Sequence, residues 1–512
     1  MVYPLSKYAE EAPDRMMVSD QLRTMTRNEV NTRVNRLIKH FRSLQLNAGS
    51  RLAIVSGNNA DYLCTALAAG LAGISLVPIN WHLKSPEATY LLKTSNADAV
   101  AIDPEYRELG ESAAAAAGIA SQIDLGTIDL WLNKYDDSEP EDPGPFTSVI
   151  YYTSGTTGRP KGTRLAQTPT SMPLAQAIER LKASAGAAGQ DESTIFLTPG
   201  PLYHAAPLNT SISAILLGGT LHLMRRFEPE EMLHLIDQHK VQRITMVPIM
   251  CIRLLRISQE TRAKYDVSSL QEVTHLAAHM PTHVKHEMIK WWGPILVDAY
   301  GSSEVGVVTR ISSQEWLEKP GSVGKPIPSL TLQIIGENNE ELPAGETGMI
   351  YITSLTDLDI SYLDDDEKTA SVHRAEKQFT IGDVGYLDDD GHLFLVDRRV
   401  DMINSGGVNI YPAEIESVAL LHPAIEDIGV FGIPNSEWGQ ETKAAIALRE
   451  GYEPSSRLAT DIQQFLSTKL ASYKVPRSID FMAELPRYSN GKLHRRELRD
   501  PYWADSESVP AS

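Results

Sequence analysis

The chain has 512 residues, more than one hydrophobic core usually organises, and its 42% hydrophobic and 22% charged residues exclude extended disorder. A formal net charge of -19 argues against nucleic-acid backbones and anionic membranes as partners, so any polyanionic ligand must be held by a local arrangement. Cys64 and Cys251 stand far apart with no C-x-x-C or Cys/His cluster, which argues against a disulfide scaffold and a zinc site and fits a reducing cytoplasm.

Along the chain, Met1 to Val18 mixes Lys7, Glu10, Glu11, Asp14 and Arg15 where a signal peptide needs an apolar core, and the terminal Val-Pro-Ala-Ser is no peroxisomal signal. Thr26 and Glu29 have capping-box spacing, and Val30, Val34, Leu37, Ile38 and Phe41 recur at helical intervals until Asn47-Ala48-Gly49 closes the segment. Leu52 to Val55 reads as a strand, and Tyr62 to Ile79 as a buried helix running into a strand, because Gly70, Gly73 and Pro78 interrupt a stretch barely long enough to cross a bilayer. No integral membrane segment is expected. The Ala run at 113–117 reads as a plain surface helix, and the acidic, proline-rich residues 136–145 as a linker.

An apolar strand, Val149 to Tyr152, follows. Further strand-like runs end at Pro199, Pro248 and Tyr300 with helical patterns between them, which predicts stacked β-α units to about residue 330. From Gly345 to Asp397 short strands alternate with Gly-Glu-Thr-Gly and Asp-Asp-Asp-Gly, the texture of small hairpins or a barrel, before helices and strands return. The acidic runs Asp364 to Glu367 and Asp388 to Asp390 lack EF-hand spacing and read as solvated turns.

The chemistry concentrates in Tyr152-Thr153-Ser154-Gly155-Thr156-Thr157-Gly158-Arg159-Pro160-Lys161-Gly162. After a buried strand, glycines and hydroxyl residues supply backbone N–H groups and side-chain donors to a polyphosphate, and Lys161 adds a point charge. The spacing is not that of the common NTPase phosphate loop, and no G-x-S-x-G nucleophile elbow occurs.

This segment resembles the acyl-adenylate-forming superfamily of acyl-CoA synthetases, firefly-type luciferases and peptide-synthetase adenylation domains. The resemblance recurs in order at Pro201-Leu202-Tyr203-His204, Tyr300-Gly301-Ser302-Ser303-Glu304, Thr380 to Tyr386, Asp397-Arg398 onward to Glu416, and Asn490-Gly491-Lys492. It implies an α/β protein: a large N-terminal domain of stacked α/β subdomains with a β-rich portion, residues 1–397, and a small mobile α+β C-terminal domain, residues 398–512. It also implies ATP-dependent activation of a small-molecule carboxylic acid to an acyl-adenylate, with Mg²⁺ as cofactor and coenzyme A as acceptor; delivery to a carrier protein or a luciferase-like oxygenase reaction are the alternatives. A homodimer is compatible with it.

Residue by residue, the resemblance makes Lys492, Glu304 and His204 catalytic. Thr153, Ser154, Gly155, Thr156, Thr157, Gly158 and Lys161 would bind the ATP phosphates, and Thr153 with Glu304 the Mg²⁺. Ala278, Tyr300, Gly301, Ser302, Ser303, Asp383 and Arg398 would bind AMP, with Tyr300 offering a flat face to adenine and Asp383 accepting the ribose hydroxyls. Ser405, Gly406 and Gly407 would line the coenzyme A tunnel after the C-terminal domain rotates. Each role has a chemical reason. Lys492 would cancel repulsion between the substrate carboxylate and the α-phosphate, where two anions must meet. Two segments depart from the family pattern: Leu276-Ala277-Ala278-His279-Met280-Pro281 replaces a Gly-Ala-Pro-like stretch, and Arg398 is followed by Arg399 and Val400 at the pivot. Thr274 to Ala278 with Val284-Lys285 and Met288 to Pro294 is similar to a subgroup of acyl-CoA synthetases that activate bulky apolar acids. This resemblance implies a medium-chain, alicyclic, aromatic or otherwise bulky apolar acid, for which small Ala205 and Ala206 would leave room and Val247, Ile249 and Met250 could line the pocket.

Overall fold

The computed structural model describes residues 4–141, 146–147, 149–153, 160–164, 173–278, 280–356, 358–398, 401–405, 408–435, 438–488 and 491–507. The helix Arg27–Ser43 begins as the capping box dictates: Thr26 Oγ1 accepts from Glu29 N at 3.2 Å and Glu29 Oε2 from Thr26 N at 2.7 Å. Such a cap contributes about 1 kcal/mol. The helix stops four residues before Asn47 because Gln45 turns left-handed at φ 62°, which lets Leu46 N reach Phe41 O at 2.9 Å and buries Leu46 beside Phe41. Ala60–Leu71 is buried along its whole length.

That helix packs with a four-stranded parallel sheet in the order Ser75–Ile79, Arg51–Val55, Ala99–Ile102, Ser121–Asp124. Pro78, which cannot donate to a ladder, sits on the edge strand of this sheet. The Ala-rich helix Arg107–Ala117 is more than a surface element: Ala113 and Ala114 are buried, and a Cβ at Gly110 would meet Ile102 Cγ2 at 2.8 Å, so small residues let the helix close on its strand.

A second sheet carries six mutually parallel strands among the described residues, Met16–Ser19, Thr220–Leu223, Ile195–Thr198, Arg243–Met246, Glu272–His275 and Leu296–Ser302. The parallel α/β pattern ends at Ser302, earlier than the expected residue 330. Gly306, at φ 82°, folds Gly306–Ser312 back antiparallel, and a Cβ on Gly301 would lie 1.9 Å from Gly306 O, so only glycine allows the approach. Ser322–Pro326, Leu393–Arg398, Asp383–Leu387 and Gly348–Ser354 continue the sheet with antiparallel pairings.

The two acidic runs have specific structures. Asp365 caps the helix Asp366–Val372, so the first run is a helix start where a solvated turn was expected; negative charge is favourable there. Asp388 to Asp390 form the tip of a tight hairpin, with Asp388 and Asp390 both accepting from Lys319 at 2.8 and 2.6 Å.

From Ile403 onward a separate sheet forms, ordered Val408–Ile410, Ile403–Ser405, Gly439–Leu448, Ile425–Asn435, with Ser478–Met482 parallel to Gly439–Leu448. Its cores contain only residues from Ile403 on, whereas the other four cores end by Leu393. The expected pivot residues Arg399 and Val400 lie outside the described residues. Among the described residues no helix is long and apolar enough to cross a membrane.

Candidate active site

At the carboxyl end of Leu296–Ser302, a bulge at Tyr300/Gly301 re-aims the chain. Tyr300 is 8% exposed within a core containing Val305, Val308 and Ile350, and its hydroxyl donates to Asp383 Oδ2 at 2.8 Å. Two motifs 83 residues apart are thereby joined. Asp383, 6% exposed, opens its strand directly after Gly382 (φ 86°), and the register sets it opposite Arg398. The Tyr300 hydroxyl thereby orients the Asp383 carboxylate. Beneath them, Lys285 (1% exposed) reaches Asp298 Oδ2 at 3.3 Å, two residues before Tyr300; burial pulls the lysine pKa down and Asp298 opposes the shift.

The phosphate-loop segment is a hairpin, Ile150–Thr153 paired with Lys161–Arg164, in which Thr153 lies opposite Lys161. Ser154, Gly155, Thr156, Thr157 and Gly158, and the side chain of Thr153, lie outside the described residues. The base of the hairpin is fixed from three sides. Tyr151 Oη donates to Asn209 Oδ1 at 2.8 Å, Thr94 Oγ1 to Tyr152 Oη at 3.0 Å, and Leu363 N to Gly162 O at 2.8 Å. Lys161 Nζ donates to Asp365.

His204 is the N-cap residue of Ala205–Leu216, its ring 4.4 Å from that of Tyr203. Burial, assisted by nearby His82, pushes its pKa down to about 4, so the imidazole is neutral around pH 7 although part of the residue still reaches the surface. Met250 is 4% exposed and packs in the core, so of the three expected lining residues only Val247 and Ile249 keep open surface. Ala277 takes φ 74°, a strained conformation for alanine, and with Ala278 leads out of Glu272–His275; His279 lies outside the described residues.

The Lys492 turn comes from the other body. Tyr488 N donates to Lys492 O at 2.8 Å and Gly491 N to Tyr488 O at 2.7 Å, with Gly491 left-handed at φ 79°. Arg487 holds the turn, donating to Gly491 O at 2.6 Å and to both Asp427 oxygens. Gly491 abuts Ile249 at the start of Pro248–Arg256, and Arg256 at that helix's end pairs with Glu426. Ser405 pairs with Gly439 inside the C-terminal sheet; Gly406 and Gly407 lie outside the described residues.

Residues 5–356 match the AMP-binding enzyme family, and residues 414–492 match the AMP-binding enzyme C-terminal domain. The chain belongs to the AMP-binding enzyme family. A feruloyl-CoA synthase from Amycolatopsis sp is 33% identical to the enzyme over 481 residues, 93% of each chain. A fatty acid–[acyl-carrier-protein] ligase from Streptomyces coeruleorubidus is 30% identical, covering 99% of this chain and 97% of its own. The o-succinylbenzoate CoA synthetase of Bacillus subtilis, solved with its acyl-adenylate intermediate, superposes with a TM-score of 0.83 at 27% identity over 98% of both chains; solved with ATP and a magnesium ion, it superposes at 0.82. The enzyme therefore has the fold of the acyl-adenylate-forming superfamily.

Beside Tyr203 and His204 the structure groups residues that no sequence motif marked. Tyr203 Oη lies 3.2 Å from His82 Nδ1, Trp81 stacks on His82 with centroids 3.5 Å apart, and Arg226 covers Trp81 at 5.7 Å. The available signal was position: Asn80-Trp81-His82 directly follows the parallel strand Ser75–Ile79, and ligands bind beyond such carboxyl ends.

For a divalent cation, Glu304 offers a partly exposed carboxylate on the Ser302–Gly306 turn, its N–H donating to Ser302 Oγ at 3.3 Å. A carboxylate with the Thr153 hydroxyl is the all-oxygen set a hard cation takes. Asp388, Asp390 and His392 also cluster, but the Lys319 ammonium already occupies the two carboxylates.

Proposed function

We propose that the enzyme activates a carboxylic acid with ATP to an acyl-adenylate, releasing pyrophosphate, and transfers the acyl group to coenzyme A. The observation that carries this reading is the junction of Tyr300 with Asp383, opposite Arg398, on the body against which the Lys492 turn is seated. Asp383 would accept the ribose hydroxyls, with Arg398 a forked donor beside the same sugar. Ser302, Ser303, Gly301 and Ala278 would flank the nucleotide, and Thr153 to Gly158 with Lys161 would hold the phosphates.

Lys492 is assigned to the approaching anions, where its charge is worth most as they meet. Mg²⁺, held by Glu304 and Thr153, would neutralise phosphate charge. His204 would meet the acid as a neutral imidazole, donating without adding charge. After adenylation the C-terminal body would turn about Arg398 to Asp401 and bring Ser405, Gly406 and Gly407 to the pantetheine arm, where glycines permit close approach.

The acid is assigned to the bulky apolar class: medium-chain, alicyclic or aromatic. The CoA-ligase names of the relatives support thioester formation; the carrier-protein ligase among them favours a second reading, loading of a separate carrier protein. Free, buried Cys64 and Cys251 are in keeping with a cytoplasmic enzyme. Acid-dependent exchange of labelled pyrophosphate into ATP tests the first half-reaction. The acceptor is then decided by offering coenzyme A or a phosphopantetheinylated carrier. Exchange without an acid, or oxygen uptake in place of thioester, would overturn the assignment.

A further inference from the structure

Asp365 and Lys161 are 204 residues apart, yet their charged groups meet. Backbone contacts fix this meeting. Leu363 N donates to Gly162 O at 2.8 Å, and Thr163 bridges Tyr362 antiparallel, so the strand carrying Lys161 and the segment entering Asp366–Val372 are locked side by side. Asp365 is itself held, its Oδ1 accepting from Lys368 N at 2.9 Å, which leaves Oδ2 turned to the lysine. The Lys161 hydrogen bond keeps the Asp365 carboxyl below its ordinary range, so it stays charged wherever the enzyme would work.

We propose that Asp365 is a positioning residue and a built-in competitor: it holds the Lys161 ammonium beside the phosphate loop and contends with polyphosphate for it, which speeds pyrophosphate release. This rests on the reading of Lys161 as a phosphate-binding residue. The competition is modest, because the two side chains are 24% and 26% exposed and solvent screens such pairs. It weighs more on pyrophosphate than on ATP. ATP keeps its contacts to adenine and ribose when one lysine is shared, whereas pyrophosphate has only its charges.

The test is Asp365→Asn, which removes the charge but retains a side chain able to cap the helix. The inhibition constant of pyrophosphate is expected to fall about three- to tenfold, with a smaller fall in KM for ATP and an unchanged melting temperature. In a Lys161→Met background the same substitution should change neither constant. A rise in both constants, no change in either, or the same fall without Lys161 would overturn the competitor role. Lys161→Met leaving ATP and pyrophosphate binding intact would instead remove the phosphate-binding reading of Lys161 on which the proposal stands.

Discussion

The most searching perturbation of the two-body arrangement is Gly491→Ala. The Cβ an alanine would place at 491 lies 2.6 Å from Ile249 Cγ2 and 3.1 Å from Ile249 Cβ. Comfortable carbon contacts are about 3.5–4.0 Å, so the turn must retreat by roughly 1 Å from Pro248–Arg256, carrying Lys492 with it. A displacement of about 1 Å at a reacting geometry costs on the order of 10²-fold in rate. Alanine at φ 79° adds strain of about 1 kcal/mol, but that strain travels with the turn and weighs on every orientation of the C-terminal body. Pyrophosphate exchange should therefore fall by about 10²-fold, while thioester formation from synthetic acyl-adenylate and coenzyme A should fall by less than about fivefold. Ile249→Ala in the same chain should restore about tenfold of the exchange rate by removing the obstructing methyl. Equal losses in both half-reactions, or no rescue, would refute the reasoning.

Other expectations are independent of that contact. Lys492→Ala should slow adenylate formation by about 10² to 10³-fold while largely sparing thioester formation from ready-made adenylate, read by the same pair of assays. His222, 2% exposed and stacked on His239 at 4.0 Å, has its pKa pushed down to about 4 by burial, with His239 adding. The unfolded chain takes up this proton near pH 6.5 and the folded one only near 4, so stability falls as pH drops through that window, by roughly 3 kcal/mol in all. Denaturation midpoints of His222→Asn should accordingly depend less on pH between 6.5 and 4.5 than those of the unsubstituted protein; parallel curves would contradict the assignment. In a panel of acids, each buried CH₂ should add about 0.8 kcal/mol, or roughly fourfold in kcat/KM, up to the pocket's length. Acetate or an amino acid as the best substrate would overturn the substrate class but leave the adenylation chemistry standing.

Local signals in the sequence were readable where a side chain's partner is near in the chain. The Thr26–Glu29 box and the largely apolar Ala60–Leu71 are examples, since a three-residue cap and a long apolar run need no tertiary context. The antiparallel turn at Gly306 was not readable. A single glycine between Val305 and Val307 resembles any strand interior until the close approach to Gly301 is seen. The Asp365 cap was hidden because four consecutive acids look alike until one of them is placed against Lys368 N. The site divides similarly. Its motifs could be recognised one by one, but the Tyr300–Asp383 bond, the Lys161–Asp365 pair and the Tyr203–His82 contact join residues 83, 204 and 121 positions apart, and only folding sets those distances.

The central claim is that the α-phosphate of ATP is the site of attack and that the acid leaves as a thioester. It is tested most directly by resolving the nucleotide and phosphate products when the enzyme is given ATP, Mg²⁺, coenzyme A and the best acid of the panel. AMP and pyrophosphate should appear in equal amounts, matched one for one by acyl-CoA, and none should form without the acid. ADP with orthophosphate would contradict the account.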